Sequence, residues 1–288
     1  MTSCLFASDL HGRVERYEKL FRALEEEAPA ALLLGGDLFP SGLAPWQGPE
    51  EAKGDFLHGF LFPELRRLRR EMGSRYPRIL TILGNDDPRS EEVEVRKGEE
   101  EGLLTYLHGK EEGLGGFRIF GYAFVPPTPF LLKDWERYDV SRYVPPGSVS
   151  PEEGSRTVEV NSTWVRYGTI KEDLEALTEG SDLTDSVFLF HTPPHETRLD
   201  RAALDGKSVD HVPLDVHVGS IAVRRFIQTR QPRLTLHGHI HESARLTGSW
   251  RDTLGETPMF SAAHDGPELA LVRFDLEDPA GAIRELIS

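Results

Sequence analysis

What most constrains the fold of this chain is a pattern that recurs five times: a short, largely apolar run, long enough for one strand, stops at a turn that carries a carboxylate, an amide or an imidazole. Cys4-Leu5-Phe6-Ala7-Ser8 stops at Asp9-Leu10-His11-Gly12, and Ala30 to Leu34 stops at Gly35-Gly36-Asp37. Arg78 to Leu83 stops at Gly84-Asn85-Asp86-Asp87, Ser186 to Phe190 at His191-Thr192-Pro193-Pro194-His195, and Arg233 to Leu236 at His237-Gly238-His239-Ile240-His241. Runs of this kind lack the polar alternation of a strand wetted on one face, so they read as strands covered on both faces. Val14, Tyr17, Leu20, Phe21 and Leu24 follow the first run at helical spacing, which makes the opening unit βα. The class is α/β, and in such sheets ligands bind beyond the carboxyl ends of the strands.

Each strand-end residue has an ordinary reading beside a chemical one. Asp9 reads as a helix N-cap or a site carboxylate, His11 as a loop histidine or a ligand, and Asp37 as a turn former after two glycines or a second site carboxylate. Asn85 and Asn161 are the only asparagines in the chain, and one of them stands at a strand end. The two prolines after His191 stiffen its exit. In an extended strand alternate side chains share a face, so His237, His239 and His241 could all point at one spot. They read as metal ligands, as a surface cluster or as hydrogen-bonded core histidines. His217-Val218-Gly219-Ser220 opens a helix running through Arg230, whose first N–H groups either hold an anion or are simply capped.

The rest of the chain supports this frame. Residues 39–48 are rich in Pro and Gly and read as a loop, and Pro49 to Met72 as a helix with Phe56, Phe60, Leu61, Leu65 and Leu68 on one face and Arg66, Arg67, Arg69 and Arg70 on its solvated side. Glu91 to Glu101 reads as a solvated helix or loop, and Phe117 to Phe124 as a strand. The proline-rich stretch from Pro126 to Arg156, with Trp135, Tyr138 and Tyr143, reads as an ordered insertion near a site entrance, within an embellishment spanning 126–185. Its aromatics either line a pocket or pack the insertion onto the body. Lys171 to Leu177 is helical with Thr169 as N-cap, and Pro258 to Ala262 and Leu269 to Phe274 are closing strands.

Net charge of -15 argues against a broad grip on nucleic acid, which relies on many Lys and Arg contacts to phosphates. The single cysteine, Cys4, lies in an apolar run and reads as a buried structural thiol, so a cysteine zinc site is excluded. No apolar run is long enough to cross a membrane and Met1 leads almost directly into a strand, so the expected location is cytoplasmic. Oxygen and imidazole donors without thiolate suit Mn, Fe, Zn, Ni or Co. One aspartate between two half-sites can bridge two ions about 3.5 to 4 Å apart, an arrangement that clamps phosphoryl oxygens.

Asp9-Leu10-His11, Gly36-Asp37, Gly84-Asn85, His191 and Gly238-His239-Ile240-His241, in this order, resemble the calcineurin-like metallophosphoesterases. His191-Thr192-Pro193-Pro194, His217-Val218-Gly219-Ser220 and Gly238-His239-Ile240-His241-Glu242 look more specifically like their Icc-related predicted phosphoesterase branch. The resemblance implies one α/β domain over 1–288, a four-layer αββα sandwich of two mixed sheets flanked by helices. It implies two divalent or trivalent transition-metal ions, one held by Asp9, His11, Asp37 and His241, the other by Asp37, Asn85, His191 and His239, with a bridging water or hydroxide that attacks phosphorus in line. His237 falls outside that ligand set and is implied to be support.

The chain departs from the family pattern in two places. The family usually has histidine after the asparagine, where it stabilises phosphoryl oxygens or protonates the leaving group; here that position is Asp86. A carboxylate beside cations ionises and repels phosphate. Either Asp86 is kept protonated, or His195, His217 or His264 supplies the proton, or the substrates carry good leaving groups. Ser261-Ala262-Ala263-His264-Asp265-Gly266 also replaces the usual Asn-Pro-Gly-like turn. The expected function is hydrolysis of small phosphodiesters or phosphomonoesters, with a small phosphoester or nucleotide as partner and neither extended nucleic acid nor membrane. The alternative is a metal-binding or nucleotide-sensing module with little turnover, and the acidic balance disfavours a nuclease.

Overall fold

The structure is a computed structural model that describes residues 1–41 and 55–288. The elements are, in chain order, β1 (Ser3–Ala7), α1 (Val14–Glu27), β2 (Ala31–Gly35), α2 (Phe62–Met72), β3 (Arg78–Ile82), α3 (Glu92–Glu100), β4 (Thr105–Tyr106), β5 (Lys110–Leu114), β6 (Phe117–Tyr122), α4 (Ser162–Tyr167), α5 (Ile170–Leu177) and β7 (Ser186–Phe190). There follow β8 (Ser208–Val209), β9 (Val212–Pro213), α6 (Ile221–Arg230), β10 (Leu234–His237), α7 (Ser243–Thr247), β11 (Arg251–Leu254), β12 (Thr257–Ser261), β13 (Leu269–Asp275) and β14 (Ile283–Ile287).

Two six-stranded mixed sheets face each other. The first has the order β14-β13-β1-β2-β3-β4 and the second β11-β12-β10-β7-β6-β5. The neighbours β1, β2 and β3 run parallel, as do β6, β7, β10 and β12, so the five motif-bearing strands lie at the centres of the two sheets. Phe6, Leu33 and Leu80 of the first sheet and Phe120, Phe188 and Leu236 of the second belong to one buried cluster, which explains why these runs lack polar alternation. α1 covers the outer face of the first sheet through Tyr17, Leu20, Phe21 and Leu24, and α6 covers the second through Ala222, Val223, Phe226 and Ile227. Burying each large apolar side chain among these contributes about 1.5 to 3 kcal/mol. The layers are therefore helix, sheet, sheet, helix, the four-layer sandwich expected from the sequence.

One local reading changes. The alternation of His237, His239 and His241 does not survive: β10 ends at His237, and His239 takes φ +73, so the chain turns before the second histidine. The expected loop over 42–48 and the helix start over 49–54 lie outside the described residues, and the described part of that helix opens with a π-turn over Leu57–Leu61 before Phe62 and Pro63 begin α2. Of the acidic stretch from Glu91 to Glu101, Glu92–Glu100 is helix α3, which buries Val95 and Gly98 on one side. The short strands β4, β5, β11 and β14 had no sequence signal, because edge strands need little apolar alternation. The four arginines of α2 do sit on its solvated side: Arg66 pairs with Glu101, and Arg67 with Glu25, Glu64 and Glu71.

Residues 126–161 form an irregular strap, whereas α5 returns to the body and buries Ile170 and Leu174. A fully buried ion pair, Lys133 Nζ to Glu136 at 2.5 Å, pins the strap, and Glu136 also accepts from Thr128 N–H at 2.8 Å. Val125 N–H donates to Trp135 carbonyl and Arg137 N–H to Val125 carbonyl, at 2.9 and 3.0 Å. Trp135 and Tyr138 are packing residues, while Tyr143 is exposed.

Candidate metal centre and cavity

The ends of β1, β2 and β3 meet the ends of β7 and β10 where the two sheets converge. The turns are laced through their backbones: Asp9 N–H donates to Gly36 carbonyl, His11 N–H to Asp37 carbonyl and Gly238 N–H to His191 carbonyl, each at 2.9 Å. His239 N–H crosses from the second sheet to the Asp9 carboxylate of the first at 3.0 Å. Asp9, His11, Asp37 and His239 all have positive φ, at 56, 49, 52 and 73°. Left-handed backbone at a non-glycine residue costs on the order of 1 to 3 kcal/mol and persists only where its surroundings hold it. Four such residues in one place mark a site whose geometry is held against local preference. Asp9 is no helix cap, since the N-cap of α1 is Arg13.

The side chains converge in two groups, Asp9 with His11, Asp37 and His241, and Asp37 with His191 and His239, each with ligand atoms within 4.8 Å of one another. Asp37 is common to both. His191 Nδ1 donates to Gly35 carbonyl at 2.7 Å, which turns Nε2 into the site, 3.1 Å from Asn85 Oδ1 and 3.2 Å from Asp37 Oδ2, as the nitrogen a metal ion would take on displacing its proton. A histidine whose second nitrogen is fixed by a carbonyl is the usual form of a metal ligand. A Cβ on Gly84 would meet His191 Cε1 at 2.7 Å, so only glycine allows this approach.

The donor set fits cations. Asp9 and Asp37 are buried, and among the described residues no Lys or Arg pairs with either carboxylate. Burial opposes ionisation of Asp9, but the hydrogen bond and charge of His241, with His191 and His11, hold its carboxyl below the usual range. Asp37 is lowered in the same way, burial being overcome chiefly by His191. Against burial, Asp37 in turn lifts His191 to about 10, whereas His239, buried beside His191, is pushed down to about 3. Among the described residues, imidazoles are the only cationic groups within ion-pair distance of these two buried carboxylates, a role that divalent ions fill better.

The other candidates separate. His237 is wholly buried; its Nδ1 donates to Thr192 carbonyl at 2.9 Å and its Nε2 accepts from Thr235 Oγ1 at 2.8 Å, so it braces β10 against the turn after β7. Asp86 N–H donates to Asp37 Oδ1 at 2.8 Å, and its carboxyl is pushed up by burial and by the Asp37 charge. His217 Nδ1 donates to the fully buried Asp200 at 2.8 Å, which leaves Nε2 free. His195 Nε2 lies 3.2 Å from Asp215. His264 pairs with Glu268 at 2.9 Å and is not among the residues lining the cavity, which removes it as a proton source. The first turn of α6 is capped by Ser220 Oγ and by Asp139 of the strap, which accepts from Ile221 N–H at 2.7 Å and Ala222 N–H at 3.1 Å. It has no room for a second anion.

Asp87 escaped the sequence reading. Buried entirely, it accepts from Leu38 N–H at 2.9 Å, Phe39 N–H at 2.8 Å and Gly84 N–H at 2.9 Å, tying the Asp37 turn to the Asn85 turn. Burial and the Asp37 charge push its carboxyl up to about 8, against the three donors. Asp200 escaped as well, since it stands within the polar loop between His195 and His217, where no motif marks it.

Asp37, Asn85, Asp86, His195, His217, His239 and His241 all line one cavity of about 490 Å³, walled in large part by the strap. A family model described as calcineurin-like phosphoesterase matches residues 2–243. The chain belongs to the calcineurin-like phosphoesterase family. Membership carries metal-dependent phosphoric ester hydrolysis in general, and this phosphoesterase has the Asp and His groups to bind metal. One crystal structure superposes on it with a TM-score of 0.60 at 18% identity, covering 100% of this chain and 99% of that one. TT1561 of Thermus thermophilus does so with a TM-score of 0.56 at 18% identity, with the same 100% and 99% coverage. Both likenesses show the fold. A search of curated proteins returns no match. Among the described residues, no helix of the phosphoesterase is long and apolar enough to cross a membrane.

Proposed function

We propose that this phosphoesterase hydrolyses small phosphodiesters or phosphomonoesters at two cations, one held by Asp9, His11, Asp37 and His241 and the other by Asp37, Asn85, His191 and His239. The observation that carries the reading is that Asp37 belongs to both donor groups and also faces the cavity. Such ions supply Lewis-acid charge that neutralises phosphoryl oxygens and makes water nucleophilic near neutral pH. The chain's own part is to hold the donors in place through the left-handed turns and the Gly35 carbonyl, and to deliver a proton. Attack of water on phosphorus breaks the bond to the leaving oxygen, which must take up a proton. His217 Nε2 is the group placed to give it, because the buried Asp200 fixes Nδ1–H and the ring lines the cavity. His195 beside Asp215 is the alternate donor. Asp86, whose N–H donates to Asp37, would serve better to orient that ligand than as an acid.

Manganese-loaded protein should hydrolyse nitrophenyl phosphate, bis-nitrophenyl phosphate or a cyclic nucleotide, and Asp37→Ala should abolish this with the circular dichroism spectrum intact. Absence of turnover on all three, or retained activity in Asp37→Ala, would sink the reading. Asp86 in the usual histidine position favours a second reading, a metal-binding or nucleotide-sensing module with little turnover. A large gain of activity in Asp86→His would support that one instead.

A further inference from the structure

The cavity's lining divides into the cluster around Asp37 and a wall of different chemistry. That wall is apolar: Pro127, Pro129, Phe130 and Tyr143 come from the strap, and Leu204 and Leu214 flank the β8–β9 hairpin. Phe130 and Tyr143 stand out into solvent at 58% and 66% exposure, so nothing among the described residues covers them. The charged residues in the lining beyond Asp37 are Asp86, Asp139, Asp215 and Glu242, and no described lining residue is Lys or Arg. Three of these carboxylates are already engaged: Asp139 caps α6, Asp215 pairs with His195, and Glu242 accepts from Ala203 N–H at 3.0 Å. They are therefore poor partners for a cation on a ligand, yet all repel an anion. The wall is fixed in place, since the Lys133–Glu136 pair and the Val149 N–H bond to Thr128 carbonyl, at 2.9 Å, hold the strap on itself.

We infer that the substrates are esters of a single phosphate whose leaving group is uncharged and apolar, of ring or short-hydrocarbon size, seated on the wall of Phe130, Tyr143 and Leu214. This rests on the phosphoesterase reading and narrows it. Esters with a second phosphate or a carboxylate on the leaving group meet the acidic rim with no compensating Lys or Arg among the described lining residues and are turned away. A cavity of about 490 Å³ holds one phosphate with a substituted aromatic ring, within the ordinary range for small-ligand sites.

The test compares kcat/KM of the manganese-loaded enzyme for phenyl phosphate, 4-tert-butylphenyl phosphate and 4-carboxyphenyl phosphate. Intrinsic leaving-group ability favours the carboxylate ester, so the opposite order reports the pocket. The tert-butyl ester should exceed the carboxylate ester by about tenfold or more, and Tyr143→Arg, at an exposed position, should shrink that ratio. Calorimetry on the metal-free protein gives a readout without turnover: 4-tert-butylphenol should bind and 4-hydroxybenzoate should not. Equal efficiency for the esters, or preference for the carboxylate, overturns the inference while leaving the phosphoesterase reading standing. Hydrolysis of none of them, with 4-tert-butylphenol still selectively bound, sinks the phosphoesterase reading and upholds the apolar wall.

Discussion

Asp87→Ala tests how the two aspartate turns are held. Among the described residues its carboxylate is the sole side-chain acceptor for three buried backbone donors, at 2.9 Å from Leu38, 2.8 Å from Phe39 and 2.9 Å from Gly84. Leaving a buried donor unmade costs about 1 to 3 kcal/mol, and some relaxation or water entry will recover part of it, so the loss should be about 3 to 6 kcal/mol. Against a total stability of about 5 to 15 kcal/mol this is a large fraction. Asp87→Asn keeps one acceptor oxygen and turns an amide N–H₂ toward a donor, so its loss should be about 1 to 3 kcal/mol. Urea unfolding of the metal-free protein, followed by tryptophan fluorescence and near-UV circular dichroism, gives both values. Because Leu38 adjoins Asp37 and Gly84 adjoins Asn85, each variant should also bind manganese more weakly in a thermal-shift titration. A loss below about 1 kcal/mol in Asp87→Ala, or equal losses in the two variants, would show that the turns are held by something else.

His217→Gln and Asp200→Asn should lower kcat by about 10² to 10⁴ for an alkyl ester but by less than about tenfold for a nitrophenyl ester, whose leaving group needs no proton; equal losses on both would exclude His217 as the acid. Burial pushes His237 down to about 4 from an ordinary value near 6.5, so the unfolded chain binds a proton there before the native one does. Its contribution to stability is complete above pH 6.5 and is lost as pH falls through 4, amounting to about 2 kcal/mol between pH 7 and 5 at about 1.4 kcal/mol per unit. Urea midpoints at the two pH values should therefore converge in His237→Gln, and an unchanged slope would rule His237 out.

The apolar runs and their polar stops determined the class of fold and the carboxyl-end location of the site, because the strand period and the βα connection leave little freedom once a run is covered on both faces. Asp9, Asp37, Asn85, His191, His239 and His241 were legible for that reason. Three histidines at alternate positions were legible as a cluster, but their division was not: His237 belongs to β10 and turns to Thr192 and Thr235, whereas the left-handed His239 carries the chain into the site. Of two adjacent aspartates, only the direction of the turn after β3 sends Asp86 to the cavity and Asp87 to the backbone of Leu38. The α6 terminus looked open to an anion until the strap, 81 residues earlier in the chain, put Asp139 on it. Local pattern sets where strands begin and end, and long-range packing decides which polar group meets which, since a buried donor is costly to leave unpaired and takes its acceptor wherever the fold has brought one.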